Sequence, residues 1–218
     1  QIVEGHKGMC EYTTRFTGLA GHGSDPDAGV SAVEYAVRYV GRLLELREEL
    51  KARAPADSRY QPPWSTLQVG AVRGGSSHNV IAEHAEVAWE LRPVVDEDRT
   101  FVRSEMDLYV GKELLPAMRR VHPWADIVMD VIGEVAELEV MPESEAVKLV
   151  EELTGRTGGE VVSFGTEAGI FQDHDISTVV CGPGSIQQAH KPDEYISLEQ
   201  LDLCLDMLSG LIPRLCKG

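Results

Sequence analysis

No run of this chain stays apolar for the roughly 20 residues that a membrane-spanning helix requires, so neither a helical span nor a membrane partner is expected. Cations are scarce: 20 Lys and Arg stand against 36 Asp and Glu, a net charge of -16. Nucleic acid and anionic lipid reward clustered Lys and Arg, so neither suits this chain as a partner. The acidic surplus itself reads as solubility before it reads as steering of a cationic substrate. Cysteine is sparse too. Cys10, Cys181, Cys204 and Cys216 form no C-x-x-C pair and no dense framework, which points to reduced thiols in a cytoplasmic protein. No signal peptide is visible and the first residue is Gln1, so the expectation is a cleaved chain or one cut from something longer.

What is present suits a globular protein. The 218 residues, 43% of them hydrophobic, allow one large domain or two small ones with a substantial core. Met9–Thr17 alternates as a strand does, with Tyr12, Thr14 and Phe16 on one face. A glycine-rich loop carrying His22 follows. Residues 30–53 then read as a long helix with Val30, Val33, Val37, Val40, Leu43, Leu44 and Leu50 as its apolar stripe. Strands are expected at 66–72, 86–92 and 126–132, and a second helix at 97–119. The order βαββαβ is that of a ferredoxin-like sandwich over residues 1–136, an α+β domain whose fold alone carries no activity. Residues 137–218 read as helix 143–154, strand 161–162, strand 176–180 and a final helix Leu198–Leu215 with Leu201, Leu205, Leu208 and Ile212 facing a core. Some 80 residues are thin for an independent core, so this segment reads as part of a larger α/β sheet.

The strand at 176–180 runs straight into Cys181-Gly-Pro-Gly-Ser185, and then into Ala189-His-Lys-Pro-Asp-Glu-Tyr195. Ligand-binding groups collect in loops at the carboxyl ends of strands, which makes His190 the leading functional candidate. Read alone, a loop histidine is more often a solvated polar residue. The surrounding motif, however, resembles the end of the zinc-dependent amidohydrolases and exopeptidases related to acetylornithine deacetylase, succinyl-diaminopimelate desuccinylase and aminoacylase. By that resemblance His190 is a metal ligand and Ser185 lies beside the substrate.

Other segments carry the same resemblance. Phe16-Thr-Gly-Leu-Ala-Gly-His-Gly-Ser-Asp-Pro26 is similar to the family's G-x-x-G-H-x-S-x-P signature. The resemblance makes residues 1–136 a lid that dimerises, and makes His22 the histidine that reaches the partner subunit's active site and polarises the scissile carbonyl. Such an imidazole donates to the developing oxyanion. Gly74-Gly-Ser-Ser-His-Asn-Val-Ile81 is similar to G-G-x-x-x-N-x-I, which implies Asn79 as a ligand of the substrate's polar groups. Arg92, in Glu90-Leu-Arg-Pro93, matches the arginine that holds the substrate carboxylate, a task suited to a planar two-pronged donor. Phe164-Gly-Thr-Glu-Ala-Gly-Ile-Phe171 resembles the family's G-T-[DE]-A pocket segment, with Thr166 and Glu167 as its polar members. Thr166 also suits a helix cap.

The family's remaining metal apparatus has no counterpart here. An H-x-D segment, a bridging Asp in a G-x-G-x-x-D-x-K-G setting and a D-E-E triplet are all missing from the sequence. The resemblance therefore implies the lid plus the C-terminal portion of the catalytic domain, 137–218, with two zinc (or cobalt) ions only in the complete enzyme. It implies hydrolysis of an N-acyl amino acid, N-acetylornithine first, with desuccinylase and aminoacylase chemistries as alternatives. It also implies an inactive isolated fragment. A non-catalytic dimerisation or binding module is the reading from a different class.

Overall fold

Alternation along β2 (Met9–Thr17) sends Cys10, Tyr12, Thr14 and Phe16 inward and leaves Glu11 and Arg15 exposed. The same period governs β6 (His84–Arg92), whose Ala85, Val87, Trp89 and Leu91 are buried. With β4 (Thr66–Gly74) and β7 (Asp126–Val135) these strands form an antiparallel four-stranded sheet in the order β4-β6-β2-β7. Two helices cover the inward face, α1 (Ala32–Ala52) and α2 (Asp96–Tyr109). A two-stranded ribbon, β3 (Gly21–His22) with β5 (Val80–Ile81), leaves one end of the sheet. The computed structural model describes residues 1–216, and they divide into two compact units. This sheet and its helices make up the unit Lys7–Glu137, joined by Ser163–Gly165.

The buried stripe of α1 keeps part of the one that the sequence suggests: Leu43 and Leu50 are buried, Val30 just before the helix is buried too, and Val33 and Val40 pack half-buried against the core. Ala32, Ala36, Tyr39, Leu43, Leu46 and Leu50 face the core, while Val37 is 60% exposed and Leu44 also lies outward. The small side chains of Ala32 and Ala36 let the helix settle close to the sheet, and of the expected stripe only Val37 and Leu44 are left outside. Tyr39 meets Phe16 edge-on at 5.4 Å, and the Thr14 hydroxyl donates to the Tyr39 oxygen at 3.0 Å. Trp89 Nε1 donates back to Thr14 Oγ1 at 3.1 Å, so the polar atoms of this core are partnered. At the start of α2 the buried Asp98 accepts from Arg53 Nε at 2.8 Å and from the Ser65 hydroxyl.

The helix expected over 97–119 is broken once. A π-helical turn, Val110–Leu114, separates α2 from α3 (Leu115–Arg119). Proline at 116 has no N–H and its ring would crowd the carbonyl four residues back, and the wider turn relieves that conflict.

The other unit is built from Gln1–His6, Leu138–Val162 and Thr166 onward. Its central strand, β1 (Ile2–His6), lies inside the span read from sequence as the first domain. It pairs in parallel with β8 (Glu160–Val162) and antiparallel with β9 (Val180–Cys181), which fixes residues 1–6 in this unit. The strand read over 176–180 shrinks to Val180–Cys181. α4 (Glu145–Thr154), α5 (Ala168–Gln172) and α6 (Leu198–Leu215) complete the unit. The core face expected on α6 is solvent-facing in this chain: Leu205 is 63% and Ile212 62% exposed, with Leu201 and Leu208 also outward. Three strands of two to five residues cannot cover two amphipathic helices, so neither α4 nor α6 has a fully buried residue. Among the described residues no helix is long and apolar enough to cross a membrane.

Candidate functional site

The loop after β2 turns back sharply. A Cβ on Gly18 would sit 2.0 Å from the Val30 carbonyl oxygen, so only glycine fits there. The chain then pairs Gly21 with Ile81 and His22 with Val80, and the Gly23 N–H donates to the Asn79 carbonyl at 2.8 Å. The ribbon thereby brings the His22 and Asn79 segments together. Ser24 fixes the imidazole: its backbone N–H donates to His22 Nδ1 at 3.2 Å, and its hydroxyl lies 2.7 Å from the same atom. A backbone N–H can only donate, so Nδ1 of the neutral ring is an acceptor and Nε2 carries the proton. The exposed ring therefore presents an N–H donor to solvent. The Asn79 side-chain oxygen accepts from the Ser77 hydroxyl at 2.8 Å, which leaves the Asn79 amide nitrogen as a donor. Two donors, one at the end of β3 and one in the turn just before β5, suit a carbonyl oxygen or an oxyanion.

Arg92 lies elsewhere. It ends the nine-residue β6, opposite Thr66, whereas the strand's first residue His84 pairs with Thr17 just before the His22 loop. At about 3.3 Å per residue the two ends of β6 are about 26 Å apart. Arg92 is half-buried and its Nη2 is 3.0 Å from Glu90 Oε2. Its charge, after burial, helps hold the Lys7 ammonium down to about 8, and that ammonium donates to the carbonyls of Pro62 (2.9 Å) and Trp64 (2.7 Å).

In the other unit Thr166 precedes α5. Its Oγ1 accepts the Ala168 N–H at 3.2 Å and lies 2.9 Å from His6 Nε2, so the hydroxyl is already engaged. The helix cap falls on Glu167, which makes no capping bond with its side chain. Ser185 accepts from the Gln187 N–H at 3.3 Å and stands in the wall of a cavity of about 510 Å³ with Cys181, Gln200, Cys204 and Met207. His190 is exposed, and its backbone adopts φ 60°, a left-handed conformation uncommon for a side chain other than glycine. Its N–H donates to Glu194 Oε2 at 3.3 Å. Among the described residues no group of three or more His, Cys, Asp or Glu is placed to hold a metal ion. A structural or catalytic zinc takes three or four protein ligands, so the groups brought together here do not by themselves fit a metal centre.

His6 was not legible as a site residue. It is completely buried, 160 positions from the threonine it touches, and no local pattern announces it.

The peptidase dimerisation domain matches residues 4–118. The acetylornithine deacetylases of Klebsiella pneumoniae and Pasteurella multocida are each 32% identical to this chain, over 216 and 218 residues, covering 99% of it and 54% of their own length. The chain thus spans about half the length of the curated relatives it matches. Among solved structures, aminopeptidase PepT of Bacillus cereus superposes with a TM-score of 0.65 at 20% identity, over 99% of this chain and 54% of its own. A tripeptidase of Staphylococcus aureus gives 0.66 at 18%, over 95% and 51%. At such identities the structures bear on fold alone.

Proposed function

This chain belongs to the peptidase dimerisation domain family, its relatives include acetylornithine deacetylases, and from that premise we propose that its parent protein removes the acyl group from an N-acyl amino acid. N-acetylornithine, giving ornithine and acetate, is the substrate we assign, in a cytoplasmic homodimer. The family match supports amide or peptide hydrolysis, and the 32% identity to acetylornithine deacetylases favours this member over a desuccinylase or an aminoacylase.

The observation that carries the reading is the presented Nε2–H of His22, in the loop that follows Thr17 at one end of β6, while Arg92 closes the other end of that strand. In the proposed site the imidazole N–H and the Asn79 amide donate to the carbonyl oxygen as it gains charge. The guanidinium of Arg92 holds the α-carboxylate through two parallel bonds. The amide carbonyl and the carboxylate of one N-acyl amino acid are about 4 Å apart, the span of a single peptide unit. No such molecule bridges a gap of about 26 Å along a strand. His22 of one subunit therefore acts on the substrate held by Arg92 of its partner, and dimerisation is part of catalysis. Zinc, or cobalt in its place, is proposed for the complete enzyme, with His190 as one ligand and the others from outside this chain. The groups gathered here do not suffice to hold it, and the isolated fragment is expected to be inactive.

A non-catalytic assembly module is the second reading, and the match of residues 4–118 to a dimerisation domain favours it. The two separate on His22→Ala in the parent protein. The enzymatic reading expects kcat to fall by about 10²–10³, the usual effect of losing one oxyanion donor. Unchanged turnover would leave only the assembly role.

A further inference from the structure

We propose that His6 is a positioning residue: its buried imidazole holds the Thr166 hydroxyl and backbone together and so fixes the Thr166–Glu167–Ala168 segment beside the substrate. The inference rests on the functional reading above and on the resemblance of residues 164–171 to a pocket segment, but its geometry stands apart from both. His6 ends β1, the central strand of its sheet, and is wholly buried. Its backbone N–H and carbonyl both bond to Leu138 at 3.0 Å, so the residue is held from both sides of the main chain. The ring then reaches Thr166, where Nε2 meets the hydroxyl at 2.9 Å and the backbone N–H at 3.4 Å.

The direction of these bonds follows from what each group can do. The Thr166 N–H can only donate, so Nε2 is an acceptor and the ring's proton sits on Nδ1. The hydroxyl of Thr166 must then give its hydrogen to Nε2, while its oxygen accepts the Ala168 N–H at 3.2 Å and starts α5. One ring nitrogen thereby orients a hydroxyl, a main-chain amide and the first turn of a helix. Thr166 has no hydroxyl proton left for a ligand, so the side chain that the segment has to offer is that of Glu167, and the anchor sets where it points. A carbonyl oxygen at the Nε2 position would serve equally; an alkyl group would not.

The test uses the parent enzyme with N-acetylornithine. His6→Ala is expected to raise KM about tenfold, the worth of about one well-made buried hydrogen bond, with kcat within about threefold. His6→Gln, whose amide oxygen can accept from both Thr166 donors, is expected to recover KM to within about threefold of the parent value. Thr166→Val, which removes only the hydroxyl, covers the case in which His6→Ala fails to fold, and is expected to match its effect. Equal damage from His6→Gln and His6→Ala, or wild-type KM in Thr166→Val, would overturn the proposal. A spectroscopic readout separates this from failure of the functional reading. In parent protein labelled with nitrogen-15 histidine, His6 Nε2 should give the signal of an unprotonated acceptor, and the signal should move in Thr166→Val. If the substrate is wrong, turnover is absent but that signal remains; a protonated Nε2 would refute the anchor itself.

Discussion

Lys7 is a side chain whose surroundings set a measurable pH response. It is 1% exposed, and burial first, then the neighbouring Arg92 charge, brings its ammonium from the ordinary 10.5 down to about 8. Below pH 8 the group is charged in both the folded and the unfolded chain, and folding bears the cost of desolvating it. Between about 8 and 10.5 the unfolded chain keeps a proton that the folded one has released, so stability rises with pH there. Burial acts the other way on Cys10, whose thiol is pushed up from 9.0 to about 11, which erodes stability above pH 9. The clean window is pH 8–9. Urea midpoints should climb across it in the parent protein and stay flat in Lys7→Met; a climb of equal size in both would show that another group is responsible. Single residues also mark how far the sequence could be read. His22, Asn79 and Arg92 stand in short motifs and were nameable from a few neighbours. His6 was not, because its meaning depends on a threonine brought up only by folding.

The elements of the four-stranded unit were legible because they follow one period each: alternation in Met9–Thr17 and in His84–Arg92, and three- or four-residue spacing in the helices. What escaped was the exact centre of the buried stripe on α1, which takes in Ala32, Ala36, Tyr39 and Leu46 beside the expected Leu43 and Leu50. The core is centred on the alanines, Tyr39 and the leucines, which leaves Val37 and Leu44 outside, while Val33 on the same helix packs close to Gly74 of the edge strand β4. An edge strand with unpaired N–H and C=O groups beside an apolar helix face suits a second copy of the same surface across a two-fold axis. Val37→Glu is accordingly expected to turn the proposed dimer of the parent protein into a monomer in sedimentation, with its melting behaviour otherwise kept because the side chain is already exposed. A dimer that survives the charge would place the interface on β7 or elsewhere. The short strands were the hardest to read. Ile2–His6 contains a glycine and two polar residues, and only its partners β8 and β9 make it a strand.

Of the two units that make up the chain, one has a closed core and the other does not. The apolar face of α6 remains open in a chain that spans about half of its relatives. We assign the missing coverage and the missing metal ligands to the rest of the parent, and the reaction to two subunits acting together. Catalysis shared across the dimer is the step on which the functional reading stands, and complementation tests it directly. Parent protein carrying His22→Ala and parent protein carrying Arg92→Ala are each expected to be nearly inactive. When the two are unfolded, mixed in equal amounts and refolded together, about half the dimers should be mixed, each with one intact site of two, so activity should return to about a quarter of wild type. If the mixture stays as inactive as its components, His22 and Arg92 do not share a site across the dimer, and the proposed arrangement is wrong.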